Sequence, residues 1–174
     1  MAQERAGAAS FQGNPLTLVG PELKVGDRLP DFTLLANDLS IVNLRSSIGK
    51  VRLISVVPSI DTPVCDLQTR RFNQEASSLG DGVVILTISM DLPFAQKRWC
   101  GAAGVDRVVM LSDHRDASFG MAYGTLIKEL RLESRAIFVA DQSGTIKHVE
   151  YVKEITTHPN YDAALLAAKS AIRS

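Results

Sequence analysis

Val51-Arg52-Leu53-Ile54-Ser55-Val56-Val57 is a nearly continuous apolar run stopped by Pro58. It reads as a central strand buried on both faces. From Pro63 to Leu79 apolar residues recur at helical spacing, at Val64, Leu67, Phe72, Ala76 and Leu79. Val83-Val84-Ile85-Leu86-Thr87-Ile88-Ser89 then repeats the buried-strand pattern. Strand, helix and strand make a βαβ unit, which sets the class as α/β.

Working outward, the pattern predicts a helix over residues 92–101, a strand over 107–111 and a helix over 117–123 closed by Gly124. Ala136–Ala140 and residues 145–152, separated by Asp141-Gln142-Ser143-Gly144, predict a hairpin. A last helix, Tyr161–Ile172, has Asn160 as its cap and Leu165, Leu166, Ala168 and Ile172 on its apolar side. Toward the N-terminus, Leu16-Thr17-Leu18-Val19 and the run before it flank Gly13-Asn14-Pro15, the composition of a hairpin turn. Residues 24–30 read as a loop and 32–35 as a short strand. Residues 1–10 are small and polar with no periodicity, so a flexible N-terminus is expected there, and 11–174 are expected to form one domain. The sum is an α/β sandwich: a mixed central β-sheet flanked by helices, with an N-terminal β-hairpin. That order resembles thioredoxin-like folds.

Composition narrows the function classes. The chain has 174 residues, 45% hydrophobic and 22% charged, with 19 basic and 19 acidic side chains and no net charge. Such a length buries roughly 70% of the surface of the unfolded chain, so its two cysteines are not needed as a staple. Zero net charge, with no long basic block, argues against nucleic acid or an anionic membrane as partner. No apolar run approaches the roughly 18 residues of a membrane span. Residues 1–14 carry Glu4 and Arg5 but no apolar core of a secretory signal. The expected compartment is the cytoplasm, where a disulfide is more often transient and catalytic than structural.

One of the two cysteines lies where a strand hands over to a helix, in Pro58-Ser59-Ile60-Asp61-Thr62-Pro63-Val64-Cys65. Thr62 suits the N-cap and Pro63 the first helical position. Cys65 then falls in the first turn, where open backbone N–H groups and the helix dipole favour a thiolate. Thr62, three residues earlier, can offer its hydroxyl to the sulfur or to an oxygen beside it. A cysteine without context is more often a small buried hydrophobe. Both readings of Cys65 stand at this point.

The same segment closely resembles the Pro-x-x-x-Thr-x-x-Cys motif of peroxiredoxins. Its form Pro-Ser-Ile-Asp-Thr-x-Val-Cys resembles their Tpx type, atypical 2-Cys enzymes that depend on thioredoxin. Ser89-Met90-Asp91-Leu92-Pro93-Phe94-Ala95-Gln96, Arg98-Trp99-Cys100-Gly101, Glu154-Ile155-Thr156-Thr157 and Gly26-Asp27-Arg28-Leu29-Pro30-Asp31-Phe32 carry the resemblance across nearly the whole chain from Asn14. It implies that Cys65 is the peroxidatic cysteine, attacking hydrogen peroxide or an organic hydroperoxide to give a sulfenic acid. Thr62 matches the motif threonine and Pro58 the proline that shields the sulfur, whereas Pro63 occupies a variable position. Arg135 matches the family's distant arginine, although alone it reads as a surface residue. Cys100 matches the resolving cysteine, which forms an intramolecular disulfide that thioredoxin reduces.

The resemblance further implies a homodimer, no cofactor and a role in antioxidant defence. A disulfide needs Cβ atoms within roughly 3.5–4.5 Å. The two cysteines lie on different predicted helices separated by a strand, so a conformational change is expected. The residues leave other readings open. Cys100 as a core residue beside Trp99 would fit resolution by an external thiol. A redox sensor needs Cys65 but neither Thr62 nor Arg135. A cysteine hydrolase would need His114 or His148 as base. His114, His148 and His158 lack metal-ligand spacing, and residues 101–104 fall short of a phosphate loop.

Overall fold

The computed structural model describes residues 2–172. The chain begins with β1 (Glu4–Phe11), β2 (Asn14–Val19), β3 (Thr33–Leu35), β4 (Ile41–Asn43) and a 3-10 turn (Leu44–Ser47). The βαβ unit follows as β5 (Val51–Val56), α1 (Pro63–Leu79) and β6 (Val83–Ser89). Next come α2 (Pro93–Ala103), β7 (Val109–Ser112), α3 (Ser118–Tyr123), β8 (Leu126–Ile127), β9 (Leu132–Glu133), β10 (Ala136–Ala140), β11 (Ile146–Tyr151) and α4 (Tyr161–Ile172). Every element read from the sequence is present, with ends within two residues of expectation.

A seven-stranded sheet in the order β11-β10-β5-β6-β7-β3-β4 forms the centre, and a smaller sheet has the order β1-β2-β8-β9. β5, β6 and β7 run parallel, whereas β10 and β3 join them antiparallel, so the sheet is mixed. All six residues of β5 are buried, as a strand covered on both faces requires. On one face α1, α2 and α4 bring Phe72, Trp99 and Leu165 onto Leu53, Ile85, Ile137 and Val139. On the other, Phe119 and Tyr123 of α3 pack with Phe32 against Ile54, Ile88 and Phe138. Phe119 and Tyr123 stack at 4.0 Å between ring centroids, so Tyr123 is a core residue. The α4 cap is also as expected: the Asn160 side chain accepts the amide of Ala163 at 3.0 Å.

The N-terminus departs from expectation. Met1 lies outside the described residues, but residues 4–10 form most of β1 rather than a flexible tail. Their small, polar composition carries no strand signal, and the strand is made by its partners. β1 pairs with β2 from Glu4↔Val19 to Phe11↔Asn14, and the amide of Ser10 donates to the carbonyl of Lys153 at 2.7 Å. The turn uses Gln12 and Gly13, both at positive φ, while Asn14 and Pro15 already belong to β2. The short strands β4, β8 and β9 and the 3-10 turn were not foreseen, since two or three residues are too few for a periodic pattern. No helix among the described residues is long and apolar enough to cross a membrane.

Candidate active site

β5 ends at Val56 and the chain turns through Pro58 into α1, placing Cys65 third in the helix. Asp91, just beyond β6, holds that turn. Its carboxylate accepts the hydroxyl of Ser59 at 2.8 Å, the amide of Ile60 at 2.9 Å and the hydroxyl of Ser89 at 2.6 Å. Thr62 occupies the N-cap position with extended backbone and Pro63 follows, as the sequence suggests. The expected contact between the Thr62 hydroxyl and the sulfur is not made. That hydroxyl donates to the carbonyl of Ser59 at 2.9 Å, so it braces the turn and caps no helical amide.

Cys65 is fully buried, and Arg135 Nη2 donates to its Sγ at 3.2 Å. Arg135 is 2% exposed, and its two other donors are fixed as well. Nε donates to the carbonyl of Ile155 at 2.9 Å and Nη1 to Gln68 Oε1 at 2.8 Å. Gln68 in turn donates from Nε2 to Ser55 Oγ at 2.7 Å. The guanidinium therefore has one rotamer, with a positive edge aimed at the sulfur and little water to screen it. Gln68 and Ser55 in this chain, and the neighbouring Thr69, carry no expectation from the sequence. Gln68 and Thr69 are polar residues on the buried stripe of α1, beside Cys65 and Phe72, and Ser55 interrupts an apolar strand. Polar groups in buried stripes were the available signal.

Beside Arg135 opens a cavity of about 370 Å³ lined by Pro58, Thr62, Val64, Arg135, Ile155 and Phe11. Its walls, which also include Pro63 and Thr156, are apolar apart from the two threonines and the guanidinium. Phe11 comes from the N-terminal hairpin, and Glu154 fastens that hairpin to the loop after β11. The Glu154 carboxylate accepts the amide of Gly13 at 2.9 Å, the hydroxyl of Ser10 at 3.2 Å and the hydroxyl of Thr156 at 2.8 Å. The Gly13 amide foremost, and then Thr156, hold its carboxyl down at about 2.

Cys100 lies in the last full turn of α2, half-buried and unpaired, and Cys65 is also a free thiol. Burial pushes the Cys100 thiol above its ordinary value. The two cysteine helices share one face of the sheet and are clasped together. Asp66, next to Cys65, accepts Trp99 Nε1 at 2.9 Å and Arg70 Nε at 2.9 Å, and Arg70 reaches the carbonyl of Ala103 at 3.3 Å. The hydrogen-bond partner of Cys65 Sγ is an arginine, where a cysteine hydrolase would place a histidine base. Among the described residues no group of three or more His, Cys, Asp or Glu could hold a metal ion.

Comparison with known proteins agrees with this geometry. Residues 24–165 match the Redoxin family. A thiol peroxidase from Halalkalibacterium halodurans is 63% identical over 163 residues, covering 94% of this chain and 98% of that protein. The thiol peroxidase of Bacillus subtilis is 59% identical over 164 residues, with the same coverage. Among solved structures, a peroxiredoxin-like protein from Aquifex aeolicus superposes with a TM-score of 0.88 at 40% identity, over 95% of this chain and 98% of that one. A thiol peroxidase from Chromobacterium violaceum has a TM-score of 0.84 at 22% identity, over 95% and 97%, a likeness of fold. With the family model matched over most of its length, and with relatives above half identity along nearly all of it, the chain belongs to the Redoxin family.

Proposed function

We propose that this protein is a thiol peroxidase of the peroxiredoxin type, reducing hydroperoxides at Cys65 with electrons from a dithiol partner, thioredoxin. The observation that carries the reading is the Arg135 guanidinium, buried and fixed with Nη2 3.2 Å from Cys65 Sγ, at the edge of an apolar cavity. The Cys65 thiolate attacks the terminal oxygen of a hydroperoxide: an S–O bond forms and the O–O bond breaks. The departing oxygen takes a proton and leaves as water or alcohol. Negative charge moves from sulfur to that oxygen during the step, and Arg135 can face both. Thr62, braced by Ser59, lines the cavity and offers its hydroxyl oxygen to a peroxide proton. Pro58 shields the sulfur from water.

The sulfenic acid at Cys65 is then attacked by the Cys100 thiol, forming an S–S bond and releasing water. Thioredoxin reduces that disulfide by two thiol exchanges and is itself oxidised. Resolution requires the Asp66–Trp99 clasp to open, because the sulfurs are held on separate, fully formed helices. A cycle of this kind belongs to a reducing compartment such as the cytoplasm. The homodimer implied by the resemblance forms part of the same reading, and light scattering checks it.

The test is peroxide-dependent NADPH oxidation in the presence of thioredoxin and thioredoxin reductase. Sustained turnover that Cys65→Ser abolishes is the expected result. A single oxidation with no thioredoxin-linked cycle would replace the enzyme with a redox sensor.

A further inference from the structure

Among the described residues two arginines are almost wholly buried, Arg135 at 2% exposure and Arg52 at 3%. Neither has a carboxylate partner among the described residues, and burying a guanidinium without a counter-charge is costly. Arg135 has a place in the candidate active site, where its Nη2 donates to Cys65 Sγ at 3.2 Å. Arg52 lies on β5, near the end of the strand away from the Pro58 turn that leads to Cys65, and it faces the other side of the sheet, where α3 packs. Nε donates to Ser47 Oγ at 2.7 Å and Nη2 to the carbonyl of Leu44 at 3.0 Å. Nη1 has no acceptor among the described residues.

That nitrogen borders a cavity of about 140 Å³ between the loop at Arg28, the 3-10 turn at Arg45 and the β10–β11 turn. Arg28, Arg45 and Arg52 all line it, and no acidic side chain does. The one carboxylate of the β10–β11 turn is occupied elsewhere: Asp141 accepts the amides of Ser143 and Thr145 and faces Lys147 at 3.5 Å. Gly144 leaves the middle of the cavity open. A Cβ there would lie 3.8 Å from Arg52 Nη1 and 3.9 Å from Arg28 Nη2, so two guanidinium edges converge on a space that a side chain would fill. Arg28 is itself steadied by donating to the carbonyl of Ser143 at 2.8 Å. Three guanidinium groups, one buried with a free donor, surround a hollow of small-ion size. Their planar forks suit tetrahedral oxyanions.

We propose that this cavity is an oxyanion site, binding one phosphate-like dianion among Arg28, Arg45 and Arg52. The site lies at the far end of β5 from Cys65, so its occupant adds to the stability of the fold and takes no part in peroxide chemistry. It stands independently of the peroxidase reading.

The experiment titrates inorganic phosphate into the full chain at constant ionic strength, balanced with chloride. Calorimetry reads the stoichiometry and a thermal melt reads the midpoint. One phosphate per chain is expected, with a midpoint that rises and saturates with occupancy. Arg28→Gln and Arg52→Met should each weaken binding by about tenfold or more, the scale of a lost hydrogen bond to a charged group. Arg28 is exposed, so its variant keeps the fold and wild-type peroxide turnover. Binding that does not saturate at one per chain, an unchanged affinity in Arg28→Gln, or a midpoint rise reproduced by chloride alone would each overturn the proposal.

Discussion

Replacing Arg135 by Met tests how the buried guanidinium serves the peroxide step. The substitution keeps much of the side-chain volume and removes three donors, those to Ile155, Gln68 and Cys65. At 2% exposure no bulk water takes their place. Losing one preorganised donor to a developing oxyanion costs roughly 10²–10³ in rate, about 2.7–4 kcal/mol. The Ile155 carbonyl and Gln68 Oε1 lose a partner at about 1–3 kcal/mol each, offset in part because a buried charge is also removed. The net change is smaller than the roughly 5–15 kcal/mol that holds a typical domain, so the variant stays folded. Stopped-flow mixing of the reduced protein with peroxide, followed through its single tryptophan, Trp99, gives the second-order rate constant. We expect that constant to fall roughly 10²–10³-fold. Arg135→Lys should recover only part, since an ammonium keeps the charge but not the fork that reaches Gln68 and Cys65 together. A folded Arg135→Met protein with the wild-type rate constant would refute the assignment.

Cys100→Ser should consume about one equivalent of peroxide per chain and then stall in the thioredoxin-coupled assay; full coupled turnover would remove Cys100 from the cycle. Asp66→Ala opens the clasp between the two cysteine helices, whose partners are 30–43% exposed. Allowing for that exposure the loss is about 1 kcal/mol, so disulfide formation should quicken roughly fivefold while peroxide consumption holds. An unchanged rate of disulfide formation in rapid-quench samples would show that the clasp is not opened before resolution. Glu133 is fully buried beside Asp113, and burial followed by that carboxylate pushes its pKa well above 4.5. The folded state therefore keeps a proton that the unfolded chain releases, and stability falls as pH rises above about 4.5. Glu133→Gln removes this dependence, so its melting midpoint should gain on the wild type as pH rises above about 4.5. Parallel midpoint curves would contradict the retained proton on Glu133.

Much of this architecture is written locally. The two buried runs of β5 and β6, the Thr-Pro entry to α1 and the cysteine in its first turn follow from patterns within a few residues of each other. The elements that complete the site are different in kind. Phe11 lines the cavity because β1 is held by its hairpin partner β2 and by Lys153 and Glu154, which lie far along the chain. Residues 1–10 carry no apolar alternation to announce this. Arg135 looks like a surface residue on its own, and only tertiary packing under Ile155 and against Gln68 makes it a buried donor. Thr62 was legible as the helix entry but not as the donor to Ser59, since a hydroxyl chooses among nearby acceptors once the turn is built. Cys100 was assigned through resemblance, and the Asp66–Trp99 link that separates it from Cys65 in the reduced fold is a contact between side chains that no periodicity encodes.

The central claim is that Cys65 takes the peroxide oxygen and Cys100 removes it within the same chain. Mass spectrometry of the non-reduced, proteolysed protein after one equivalent of peroxide tests it most directly. The account predicts a Cys65–Cys100 link within one chain and the loss of two hydrogens per protein. A persistent Cys65 sulfenic acid beside a free Cys100 thiol, or a Cys65 link between two chains, would contradict it.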